Sequence, residues 1–183
     1  MLDFEETDLW MILAYVSHQS QQMTFMLKKT HECINFYNSR MLFPDEDVAS
    51  IALAVYTFTG IDTVGGLFRC EKFITMKKTL ATNDVPINEV LWLGENTITD
   101  EALLKSLEGF TIKIIYKESV SENLSEARAH KWRKLRTSDS SRIPPDEDSF
   151  RRHCLRAHLQ VLTWLSIMNS VLQNSYFLFH AMK

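Results

Sequence analysis

The sequence predicts a mainly helical α/β chain, a partial parallel sheet near its start followed by helices. Three observations carry this. Leu9–Val16 is an unbroken apolar run, the pattern of a strand buried on both faces of a parallel sheet. Val48, Ile51, Ala52 and Val55 recur at helical spacing behind the acidic start Pro44-Asp45-Glu46-Asp47. Beyond residue 98, most of the chain keeps a helical pattern.

In chain order, Glu6-Thr7-Asp8 leads into the apolar run. Alternate strand residues share a face, so Glu6 and Asp8 project together on that reading. Met23–Leu27 is a second strand candidate at the sheet edge. The helix begun near Pro44 closes at Phe58-Thr59-Gly60-Ile61-Asp62-Thr63, where Gly60 and Gly65-Gly66 allow tight turns. Phe68–Leu80 reads as a short basic helix carrying Lys72, Lys77 and Lys78. Thr99-Asp100-Glu101 caps a helix toward Tyr116 with Leu103, Leu104, Leu107 and Phe110 on its spacing. Thr111–Ile115 pulls instead toward strand. Ser121–Leu135 is amphipathic and basic, and Thr137–Ser141 is a polar linker. Pro144-Pro145 then stops the chain before a long helix from Ser149 to Ile167. The expected division is residues 1–82, with sheet, glycine turn and basic helix, and residues 83–183, all helical.

At 183 residues, 45% hydrophobic and 23% charged, the chain suits one soluble globular domain, or a piece of one, with a real core. A net charge of -3 argues against a general nucleic-acid coat, yet Arg128–Arg156 holds nine Lys or Arg against four Asp or Glu. Cys33, Cys70 and Cys154 are odd in number and form no CxxC pair. They read as reduced thiols of an intracellular protein, nuclear or cytoplasmic. The acidic start Met1–Glu6 is not a signal peptide. Leu165–Met182 is apolar but broken by Asn169, Gln173, Asn174 and His180, so a core or interface helix is expected and no membrane span.

Clustered carboxylates repel, and are usually gathered only to hold a cation. Glu6, Asp8 and Asp62 are therefore candidate metal ligands, for Mg²⁺ or Mn²⁺. Each has a plainer alternative: Glu6 and Asp8 as solvated acids, Asp62 as a turn residue bonding the Thr63 or Val64 backbone. Lys131-Trp132-Arg133-Lys134-Leu135-Arg136 is either a DNA contact, basic with a stacking Trp, or the solvated face of an amphipathic helix. Arg69, Lys72, Lys77 and Lys78 are further candidates for DNA contact. His153, Arg156, Gln160 and Trp164 share one helical face. That face is a polar binding surface or a packing stripe whose polar members satisfy buried carbonyls.

At Glu6-Thr7-Asp8 and Gly60-Ile61-Asp62 the chain resembles the second half of PIN-like nucleases of the flap-endonuclease type. It is also similar to a family of uncharacterised animal proteins spread with mobile elements. That family has an Asp-Thr-Asp-Val strand, an H-x-x-T-G-C-D-T-x-S-x-F-x-G-K-G-K turn and an L-P-P-x-x-D-x-x-x-x-H-x-x-R-A-x-Y-Q-x-x-x-W block. Here these fall on Glu6–Leu9, Tyr56–Lys72 and Ile143–Trp164. The resemblance implies two-metal phosphodiester chemistry, in which one ion generates hydroxide and both neutralise the phosphate. It also implies further acids upstream of Met1, so the chain is expected to be a truncated, non-catalytic relic. Glu6 stands where the family has Asp, and Arg69-Cys70-Glu71-Lys72 replaces its Gly-Lys-Gly-Lys. Glu71 sets negative charge where phosphate would lie. The other expectations are a non-catalytic nucleic-acid-binding module, or a helical interaction protein whose half-sheet is completed by another chain.

Overall fold

The computed structural model describes residues 4–19, 25–29, 34–61, 63–67, 71–81, 90–117, 121–135 and 143–181. The expectations placed on Asp62, Arg69 and Arg136 fall outside these residues. The chain forms two compact units, residues 1–53 with 163–183, and residues 54–162.

The first unit opens with helix α1, Phe4–Gln19. Strands β1, Phe25–Lys29, and β2, Ile34–Asn38, then pair antiparallel with Phe25 opposite Asn38 and Lys29 opposite Ile34. A short 3₁₀ turn over Ser39–Leu42 follows, its first amide region closed by Asn38 Oδ1 accepting from the Arg40 N–H at 3.0 Å. α1 packs on this turn, with Met11 and Ala14 buried and the Ser17 hydroxyl donating to the Ala14 carbonyl at 2.8 Å. Helix α2, Glu46–Phe58, starts where Asp45 Oδ1 accepts from the Val48 N–H at 2.8 Å.

The expected parallel sheet is not seen. Leu9–Val16 lies wholly inside α1, and the only strands among the described residues are the antiparallel hairpin. The run contains Leu, Met and Ala, good helix formers, with β-branching at Ile12 and Val16 alone, and no Gly or Pro interrupts it. A short apolar run does not by itself separate a buried strand from a helix. Here the polar flanks extend one helix to sixteen residues. Of the second expected strand, Phe25–Leu27 lies in β1, whose partner runs antiparallel.

The second unit takes in the end of α2, buried without a break over Ala54–Phe58. Helix α3 spans Lys72–Ala81, and α4 spans Asp100–Phe110 with Thr99 Oγ1 capping the Ala102 N–H at 3.3 Å. α4 widens into a π-helical turn over Thr111–Ile115, closed by the Tyr116 N–H donating to the Thr111 carbonyl at 3.0 Å. Lys117, at φ 56°, ends it. Helix α5 is Leu124–Leu135, begun by Asn123 Oδ1 accepting from the Glu126 N–H at 2.8 Å. Helix α6 is Glu147–Ala181. Its cap Asp146 accepts from both the N–H and the hydroxyl of Ser149 at 2.9 Å, and these bonds hold the carboxyl below its ordinary range. Phe58 sits edge-on to Phe110 at 5.9 Å and Phe150 at 6.5 Å, with Leu103, Leu107 and Ala157 fully buried alongside. No helix among the described residues is long and apolar enough to cross a membrane.

Candidate nucleic-acid interface

Of the residues expected to hold a metal, Glu6 and Asp8 do not lie at a strand end. Glu6 and Asp8 occupy α1, where positions two apart lie about 200° apart around the axis. Among the described residues no group of three or more His, Cys, Asp or Glu is placed to hold a metal ion.

The glycine turn and the face of α6 do come together. The turn closes on itself: the Ile61 N–H donates to the Val64 carbonyl at 2.8 Å, and the Val64 N–H to the Ile61 carbonyl at 3.1 Å. Thr63 donates its hydroxyl to Gln160 Oε1 at 2.8 Å. His153, buried, donates through Nε2 to the Phe58 carbonyl at 2.7 Å, its ring edge-on to Phe58 at 5.0 Å. His153 and Gln160, two helical turns apart, thus pin the turn to α6, the arrangement of a packing stripe. Arg156 between them is exposed and Trp164 half-buried. Lys72 lies over the buried Tyr56 ring, Nζ 4.2 Å from its centre. Lys77 is exposed and Lys78 half-buried.

His158 enters from the same helix with the opposite hydrogen-bond polarity. Its Nδ1 accepts from the Gly94 N–H at 3.1 Å, which requires a neutral ring. Burial pushes both imidazoles below their ordinary value. At His153 the Phe58 and Gly65 carbonyls oppose that and Arg156 adds to it, and at His158 Asp100 opposes it. The unfolded chain therefore takes up protons first as pH falls below about 6.5. The stability these groups contribute is present above that pH and is lost as pH falls through their folded values. The urea midpoint should drop between about pH 7 and pH 5, and by less in the His153→Gln, His158→Gln double variant. An equal drop in both proteins would show that other groups govern the acid limb.

α5 carries the exposed cationic surface. Its buried side is Leu124 and Ala127, while Trp132 is 55% exposed and Arg128, Arg133 and Lys134 are exposed. Lys131 instead donates to the Tyr116 carbonyl at 3.2 Å, tying α5 to the end of the π turn. A cleft of about 450 Å³ opens beside Trp132, lined by Ser125, Arg128, Ala129, Trp132, Arg133 and Ile143. Among the described residues no carboxylate lines it, and the nearby Asp146 carboxyl is held down by its Ser149 bonds and in part by the Arg128 charge. A larger cleft, about 670 Å³, sets Lys105 and Arg151 against Glu108, Glu122 and Glu147, a balance unsuited to phosphate. Arg128 is the residue that sequence reasoning missed, although it lies one helical turn before Trp132 and so on its face. No protein-family model, curated protein or solved structure matches this chain.

Proposed function

We propose that this chain is a non-catalytic nucleic-acid-binding module acting through α5. The observation that carries the reading is the exposed indole of Trp132 between Arg128 and Arg133, on the rim of a cleft that no carboxylate among the described residues lines. Nucleic acids present a line of phosphates and the π-faces of bases, and guanidinium groups beside an exposed indole answer both. Such a module acts in the nucleus or cytoplasm. The nuclease-like reading loses support, because the strand that was to present Glu6 and Asp8 is helical. A partner completing a parallel sheet loses its ground for the same reason.

Fluorescence anisotropy with a labelled single-stranded oligonucleotide tests the reading. Affinity should fall steeply between about 50 and 200 mM salt, as released counterions require. Arg133→Glu with Lys134→Glu should weaken binding by about tenfold or more at low salt. EDTA should leave binding intact, and added Mg²⁺ or Mn²⁺ should leave the oligonucleotide uncut. Binding that ignores both salt and charge reversal would refute the proposal. Cleavage abolished by EDTA and by Asp8→Ala would restore the nuclease reading.

A further inference from the structure

We infer that the cleft beside Trp132 takes one unpaired base, guanine in preference, so that the strand bound is single; this rests on the nucleic-acid reading above. A base is a flat ring with apolar faces and polar edges, and the cleft offers a counterpart to each. Ser125, Arg128, Ala129 and Trp132 recur at three- and four-residue spacing and so line one stripe of α5. The Trp132 indole supplies a stacking surface, and Ala129 with the buried Ile143 supplies an apolar wall. The volume lies within the range of about 300–1,000 Å³ usual for small-ligand sites.

The edge is read by Arg128. Its Nη1 donates to the carbonyl of the buried Pro144 at 2.5 Å, fixing the guanidinium against the cleft wall. One of its five N–H donors is used there, and the group has no acceptor to offer. Its complement is a base edge with two adjacent acceptors, which guanine presents at O6 and N7. Adenine places a donor beside its N7 and would face donor against donor. Cytosine offers O2 and N3, but its smaller ring covers less of the indole. A base inside a duplex has both faces occupied by its neighbours and cannot enter without unstacking.

Anisotropy with the unmodified chain needs no variant for the main test. The probes are oligo-dT, oligo-dT with one central dG, the same strand with 7-deazaguanine, its RNA counterpart, and the dG strand annealed to its complement. One guanine should tighten binding by about tenfold over oligo-dT, the discrimination of a bidentate contact. Removing N7 should abolish that gain, RNA should keep it, and the duplex should bind more weakly than its single strand. Arg128→Lys should lose the guanine preference while still binding oligo-dT, and Trp132→Ala should lose the preference for single strands. Equal affinity for oligo-dT and the dG strand, or for single strand and duplex, would overturn this inference and leave the nucleic-acid reading standing. Absence of salt-dependent binding to every probe would overturn the reading itself.

Discussion

Phe58→Ala should lower the unfolding free energy by about 3–5 kcal/mol, the usual cost of emptying a buried phenylalanine site. Phe58 has no solvent exposure, and its ring packs edge-on against Phe110, Phe150 and His153. Three ring partners within 6.5 Å leave little freedom for the site to collapse, so most of the cavity should persist. Its carbonyl also receives the His153 imidazole, whose orientation depends on the ring beneath it. Against a total stability of about 5–15 kcal/mol for a domain of ordinary size, the loss is large enough to shift the urea midpoint plainly. Phe58→Leu refills most of the volume and should cost less than half as much. Trp132→Ala, at an exposed position, should change stability by no more than about 0.5 kcal/mol. A Phe58→Ala cost below about 1 kcal/mol would mean that the aromatic cluster is not where this unit stores its stability.

Much of the helical frame was legible because caps are local chemistry. Asp45 before α2 and Thr99 before α4 each act within a few residues and begin their helices as expected. After Pro144-Pro145 the long helix starts at Glu147, ahead of the expected Ser149, and runs past Ile167 to Ala181. α1 was not legible, because its apolar run carries no polar spacing to choose between a strand and a helix. At Thr111–Ile115 the β-branched residues pull toward strand, yet the helix expected to run to Tyr116 continues. There burial of Ile112 and Ile114 at the end of an established helix keeps the chain helical, and the turn widens. β2 went unread although Ile34 and Phe36 alternate with Asn35, a short signal that only its hairpin partner makes convincing. The link from His153 to the Phe58 carbonyl spans 95 residues. Helical spacing showed that His153 and Gln160 share a face, but not what that face would meet. At the candidate interface the basic run was plain, while the cleft was not, since Ile143 reaches it from beyond α5.

Gly60→Ala and Gly65→Ala should have opposite outcomes, although both glycines belong to one turn. Gly60 has φ +115°, a backbone region that residues with a side chain rarely adopt. A Cβ there would lie 2.3 Å from Gly66 Cα and 2.7 Å from Gly66 N. These are backbone atoms, so no side-chain rotation relieves the overlap. The turn must open instead, breaking the paired amides of Ile61 and Val64 and pulling Thr63 away from Gln160. Backbone strain of about 1–3 kcal/mol adds to these losses, so a total of about 3 kcal/mol or more is expected. Gly65 has no such conformation, and an added Cβ meets nothing within 4 Å. Gly65→Ala should be neutral, or stabilising by up to about 1 kcal/mol through a less free unfolded chain. Paired urea unfolding curves decide the matter, and equal costs at the two positions would show that Gly60 and Gly66 do not approach as closely as this turn requires. Oligonucleotide affinity of the folded Gly60→Ala protein should stay unchanged, because Trp132, Arg128 and Arg133 stand on α5 and touch no part of the turn's hydrogen bonding. If affinity fell with the turn, the glycine segment itself would be part of the nucleic-acid contact.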